Sequence, residues 1–152
     1  MSKIDVTIGS PHHPEATALL NQSHALMKSL FPPEDNFFLD IDALAGPNIV
    51  FFTALLEGQV VGTGALAVKG GYGEVKSMFT DEAARGRGVA GRVLAAVEAE
   101  ARARGLGWLR LETGNRLHAA HRVYRASGFT DCGPFGDYPD AASSIFMEKR
   151  LD

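Results

Sequence analysis

Cysteine is almost missing: Cys132 is the only one among 152 residues. No intramolecular disulfide can form, and a reducing compartment is compatible with the chain. A nucleophilic thiol would need a cationic neighbour, and Asp131 and Gly133 offer none. Cys132 is therefore expected to be a small residue packed near a strand end. Long apolar runs are missing too. Nothing approaches the roughly 20 apolar residues of a membrane span, and Lys3, Asp5, His12 and His13 interrupt the stretch a signal peptide would need. An excess of positive charge is also lacking: the net charge is −3, which argues against a nucleic-acid surface. These absences describe a soluble, cytoplasmic protein with neither nucleic acid nor membrane as partner. Without repeats or long linkers, residues 1–152 read as a single domain.

What is present suits a packed core, with 45 % hydrophobic and 22 % charged residues. Ile4, Val6 and Ile8 alternate with polar residues, as in a half-buried strand. Pro14 opens a helical stretch, with Ala18, Leu19, Ala25, Leu26 and Leu30 at helical spacing, stopped by Pro32-Pro33. A second short helix is expected over Asp35–Leu44, closed by Gly46-Pro47. Ile49–Leu56 and Val60–Lys69 read as strands joined by a hairpin at Glu57-Gly58-Gln59, and Gly70-Gly71 leads into a third at Tyr72–Thr80. Val89–Arg104 reads as a helix burying Val89, Val93, Leu94, Val97 and Ala101, with Gly105 as its cap. Trp108–Thr113 is the next strand and His118–Ser127 a short helix. Thr130–Cys132 and Ser144–Lys149 supply two final strands. The order predicts a mixed α/β or α+β domain.

The segment Arg85-Gly86-Arg87-Gly88-Val89-Ala90 sits between a strand and a long helix. Glycine lets backbone approach a ligand without a Cβ in the way. The free N–H groups of a first helical turn and the helix dipole favour phosphate or pyrophosphate, and Arg85, Arg87 and Arg92 add positive charge. No Lys-Ser/Thr pair follows the glycines, so this is not a P-loop. Antiparallel strands precede it, unlike the first βα unit of a dinucleotide fold.

On these residues the chain resembles the GNAT superfamily of N-acetyltransferases. The acetyl-CoA motif of that family, Gln/Arg-x-x-Gly-x-Gly/Ala, is matched by Arg85, Gly88 and Ala90. Glu74 to Thr80 is similar to the family's fourth strand, and Leu111-Glu112-Thr113 to its fifth. Ala120 to Arg125, ending at Gly128-Phe129, resembles the helix that carries the family's tyrosine. The resemblance covers Ile49 to Lys149 well and the N-terminal helices loosely. It implies a mostly antiparallel twisted sheet of about seven strands with about four helices, splayed between strands 4 and 5.

The resemblance also implies an activity: transfer of an acetyl group from acetyl-CoA to a primary amine of a small molecule, directly in a ternary complex. Main-chain groups of Met78, Phe79 and Thr80 would pair with the pantetheine arm, and Arg85, Gly86, Arg87, Gly88, Val89, Ala90 and Gly91 would cradle the pyrophosphate. Asn115 either contacts the cofactor arm or caps the following helix. A backbone N–H near Phe79 would stabilise the oxyanion, and Tyr124 would act as general acid to the departing sulfur. Glu74 stands open between general base and structural ion-pair partner of Lys76. In a regular strand Glu74, Lys76 and Met78 would share a face, and Lys76 would favour the ionised carboxylate.

His118 and His121 are three apart on a helix, but no carboxylate or cysteine of matching spacing joins them. They read as surface or pocket-rim residues, with no metal expected. His12-His13 carries no pattern. Acceptor specificity falls by resemblance to Ser29–Pro33 and Pro134–Asp140, with Phe31 and Tyr138 as substrate-binding candidates. Asp137 and Asp140 read as a solvated loop. The Phe-Gly-Asp-Tyr-Pro loop and the segment Ile145–Lys149 resemble a subgroup of uncharacterised bacterial GNAT proteins. Two other functions fit the same resemblance: a protein lysine or N-terminal acetyltransferase, and a non-catalytic acyl-CoA-binding module. A homodimer is expected by analogy alone.

Overall fold

The hairpin at Glu57-Gly58 sets the first half of the sheet. Both residues take positive φ, +53° and +81°, which matches the twist of the flanking strands and leaves a two-residue turn between Leu56 and Gln59. In this computed structural model, which describes residues 3–151, the strands are β1 (Ile4–Ile8), β2 (Ile49–Leu56), β3 (Gln59–Val68), β4 (Gly73–Thr80), β5 (Trp108–Gly114), β6 (Thr130–Cys132) and β7 (Ser144–Arg150). They form one sheet of order β1-β2-β3-β4-β5-β7-β6. Every neighbouring pair is antiparallel except β4 and β5.

Three α-helices cover the sheet: α1 (Pro14–Leu30), α2 (Val89–Ala103) and α3 (His118–Ala126). On one face Ala16, Leu19 and Leu20 of α1 pack with Leu44, Phe51, Val60 and Ala65. On the other, Val89, Val93, Leu94, Val97 and Ala101 of α2 join Tyr124 of α3 in the larger core. Ala18 and Ala25 lie outside the buried stripe of α1. His13 caps this helix: its ring Nδ1 accepts the Glu15 N–H at 3.2 Å, so the His12-His13 pair does carry a structural role. Among the described residues no helix is long and apolar enough to cross a membrane.

The helix expected over Asp35–Leu44 does not form, which brings the α-helix count among the described residues to three. Only 3-10 turns occur there, at Pro33–Asp35 and Ala43–Ala45, with extended chain between. Side chains compete with the helical ladder. Asn36 Nδ2 donates to the Phe31 and Pro32 carbonyls, and Asp40 Oδ1 accepts the Ala43 N–H at 2.7 Å.

β4 is not a regular strand. Its register against β3 slips between Thr63 and Ala65, opposite Ser77, which has φ +55°. A β-branch-free residue tolerates this conformation at a cost on the order of 1–3 kcal/mol, and the bulge turns the strand. Met78 therefore does not share the face of Glu74 and Lys76. It packs instead against the core under α2, where a Cβ on Gly64 would come within 2.6 Å of its sulfur. Thr63 holds the bulge, its Oγ1 donating to the Ser77 carbonyl at 2.8 Å. Thr63→Val keeps the shape and leaves that half-buried carbonyl without its Thr63 partner, so urea unfolding should show a loss of about 1–3 kcal/mol.

Candidate active site

β4 and β5 pair only at Gly73↔Leu109 and Glu74↔Arg110. Beyond these two pairs the strands diverge, while β5 stays paired with β7 along its whole length. The divergence exposes one backbone edge of each strand, as the splay expected from the sequence requires. A cavity of about 100 Å³ opens there. Its walls come from β4 and β5, from the end of α1 and the chain after it, and from Tyr124 of α3.

Tyr124 is buried, and burial followed by the nearby Glu112 charge pushes its pKa well above the ordinary tyrosine value. Its ring lies against Phe129. Its hydroxyl, in a residue lining the cavity, has no hydrogen-bond partner among the described residues. Buried tyrosine hydroxyls usually find one.

Glu112, between the buried Leu111 and Thr113 on β5, lines the same cavity. Ser144 Oγ donates to it at 2.7 Å. Burial raises its pKa, against the lowering effects of the Ser144 hydrogen bond and of Lys76, and with small raising contributions from Glu74 and Asp35. Nothing in Leu111-Glu112-Thr113 beyond strand alternation marks Glu112 as a site residue.

Glu74 is buried at 4 % exposure and does not line the cavity. It accepts hydrogen bonds from the Tyr138 hydroxyl and from Lys76 Nζ, the latter at 3.3 Å. Lys76 Nζ also donates to Tyr138 Oη at 2.7 Å and to the Phe37 carbonyl at 3.2 Å. The Tyr138 hydroxyl is thus engaged behind the cavity, and burial and Glu74 drive its pKa far upward. This cluster ties β4 to both chain segments that flank the site. Of the two readings left open for Glu74, its geometry is that of the ion-pair partner.

Phe31, the other acceptor-side candidate, is buried and lines the cavity. Its ring occupies the space a side chain at Gly114 would need, 2.3 Å from a Cβ there. Asn115 is exposed and caps no helix: α3 starts after Leu117 without a side-chain cap. Its Nδ2 donates to the Ala142 carbonyl at 3.4 Å, fastening the β5 end to the loop before β7. His121 is buried rather than at the surface, its Nε2 2.8 Å from the Gly114 carbonyl, whereas His118 is exposed. Asp137 and Asp140 are exposed. Cys132 is half-buried at the end of β6, its thiol pushed up to about 11, mainly by burial.

The glycine-rich turn follows β4. Gly86 and Gly88 take φ of +80° and +79°, and Gly88 is the N-cap of α2. The first helical bond runs from the Arg92 N–H to the Gly88 carbonyl, leaving the N–H groups of Val89, Ala90 and Gly91 without intrahelical partners. A Cβ at Gly86, Gly88 or Gly91 would meet nothing within 4 Å, so the turn faces open space. Arg85 and Arg87 are exposed beside it. Arg92 points elsewhere, to the Ile4 carbonyl at 3.4 Å. Met78, Phe79 and Thr80 lie on the diverging part of β4 that leads into this turn.

Splayed parallel strands, a bulged β4, a bare helix N-terminus and a cavity tyrosine fit the sequence profile of the Acetyltransferase (GNAT) family, which matches residues 17–129. The chain belongs to that family. It is an N-acetyltransferase by this membership and by its relatives. An IAA acetyltransferase of Azospirillum brasilense is 42 % identical over 153 residues, covering 99 % of this chain and 100 % of the relative. YsnE of Bacillus subtilis, an uncharacterised N-acetyltransferase, is 36 % identical over 90 % of this chain and 93 % of its own length. A solved structure from Klebsiella pneumoniae shares the fold with TM-score 0.83 and 31 % identity over 98 % of each chain.

Lys76→Met strands the Glu74 carboxylate in a buried site. Chemical denaturation should register a loss of about 3–5 kcal/mol, against about 1.5–3 kcal/mol for Tyr138→Phe, which leaves the ion pair in place. Equal losses would contradict the hub position of Lys76.

Proposed function

We propose that this acetyltransferase uses acetyl-CoA and passes the acetyl group directly to a primary amine of a small molecule, within one domain spanning residues 1–152. The observation that carries the reading is that Tyr124, whose hydroxyl has no hydrogen-bond partner among the described residues, lines the same small cavity as Glu112. Acetyl-CoA, when bound, supplies an activated thioester. The residues present fit it: the open turn with three free N–H groups and two exposed arginines suits a pyrophosphate, and the diverging edge of β4 at Met78, Phe79 and Thr80 suits an extended amide-bearing arm. A cavity of about 100 Å³ suits a compact acceptor better than an extended peptide.

The roles of the side chains follow from their proton affinities. An amine attacks only when neutral, so an ammonium must first lose a proton. Glu112, with its pKa raised by burial, is a stronger base than a solvated carboxylate, and Glu74 is held by two donors. As the C–N bond forms and the C–S bond breaks, sulfur needs a proton. Tyr124, whose raised pKa keeps it protonated, gives one and regains the one the nitrogen sheds. A main-chain N–H near Phe79, just past the bulge, would donate to the oxyanion.

Calorimetric titration should show binding of acetyl-CoA and coenzyme A but not NAD; absence of CoA binding would undo the cofactor assignment. Tyr124→Phe should lower kcat about 10²–10⁴-fold with CoA affinity unchanged. The acid limb of the rate profile should lie above the ordinary carboxylate range, because turnover rises as Glu112 loses its proton. Glu112→Gln should abolish that limb. A limb that persists in the Gln variant assigns the base elsewhere.

A further inference from the structure

The polar atoms around the cavity are unevenly matched. Asn36 Nδ2 donates to the carbonyls of Phe31 at 3.3 Å and Pro32 at 3.2 Å, which fixes the orientation of the amide. Its Oδ1 is then an acceptor, buried and without a partner; Ser77 Oγ is buried and unpartnered as well. Both residues line the cavity, together with the carboxylates of Asp35 and Glu112. An orphaned buried acceptor is costly: the Asn36 oxygen beside the cavity points to a ligand that brings a hydrogen-bond donor, and the Ser77 hydroxyl is able to accept from the same ligand.

The cations give the complementary result. Among the described residues that line the cavity, Lys76 is the only Lys or Arg. An ammonium has three hydrogens, and all of those on Lys76 have acceptors: the Phe37 carbonyl, Glu74 Oε2 and Tyr138 Oη. No cationic donor is left over for an anion. Much of the remaining wall is apolar, with Met27, Phe31, Phe37, Phe38 and Leu117.

We infer that the acceptor is a compact amine that enters as an ammonium on an apolar, aryl or alkyl body and carries no carboxylate beside the amine. The inference rests on the acetyl-transfer reading above and specifies its substrate class. Asn36 Oδ1 and Ser77 Oγ accept from the ammonium, Glu112 faces it as counter-charge, and the aromatic wall takes the body. A free α-amino acid would bring its carboxylate next to Glu112 and Asp35 with no cation to receive it, a like-charge clash in a desolvated site. Discrimination of this kind excludes one substrate by repulsion as well as selecting another by attraction.

Thiol release from acetyl-CoA should be followed with matched pairs, phenethylamine against phenylalanine and tyramine against tyrosine, and with a short peptide bearing a free N-terminus. The amine of each pair should exceed its amino acid in kcat/KM by at least about 30-fold. Equal or reversed preference within the pairs, or faster turnover of the peptide than of either amine, would overturn the substrate class while leaving acetyl transfer intact. If acetyl-CoA binds and no amine of any class releases thiol, the transfer reading fails and this inference with it. Asn36→Asp keeps an acceptor oxygen and Asn36→Leu does not. The KM for phenethylamine should rise about ten-fold only in the Leu variant; the same rise in both would assign Asn36 to loop positioning and overturn its contact with the ammonium.

Discussion

The early separation of β4 from β5 is the constraint on which the site depends. Two strands that pair at only two positions cannot satisfy their facing backbone groups farther along, and buried or half-buried backbone groups demand partners. The gap is kept open from both sides. β5 is held straight by β7 over its full length, while the Ser77 bulge bends β4 and is itself pinned by Thr63. The cavity, the free strand edge and the approach to the α2 N-terminus all follow from that divergence.

The second element is a buried polar cluster. Glu74, Lys76 and Tyr138 satisfy one another almost completely and add the Phe37 carbonyl as a fourth partner. Such a cluster is a weak source of net stability, since desolvation offsets much of the attraction. Its value lies in geometry: one ammonium fixes the chain after α1 and the loop before β7 against β4. By engaging every donor of Lys76 it also leaves no lysine or arginine donor free among the described residues that line the cavity.

Much of the fold was legible in the sequence because its signals are local. The β1 strand, the Glu57-Gly58 turn, the buried stripe of α2 and the cap at Gly105 all fell where periodicity and turn chemistry put them, although Ile8 at the end of β1 is exposed. The segment Asp35–Leu44 did not, because Asn36 and Asp40 bond backbone groups whose positions depend on the end of α1 and the following turn. Met78 was assigned to the wrong face for a related reason. A single-residue bulge inverts the alternation after it, and nothing in Lys76-Ser77-Met78 marks the break.

The sequence by itself determined the family, the mixed sheet with its helices, the glycine-rich turn at the start of α2 and the position of Tyr124 on α3. Each of these is written in contiguous residues through spacing, glycine and hydrophobic period. Only the tertiary structure decided how the carboxylates divide. Glu74 is enclosed by a lysine two residues away and a tyrosine 64 residues on, while Glu112 reaches the cavity that Tyr124 shares. Burial and hydrogen-bond partners set the proton affinity of a carboxylate, and both come from residues distant in the chain that meet only when the sheet has closed.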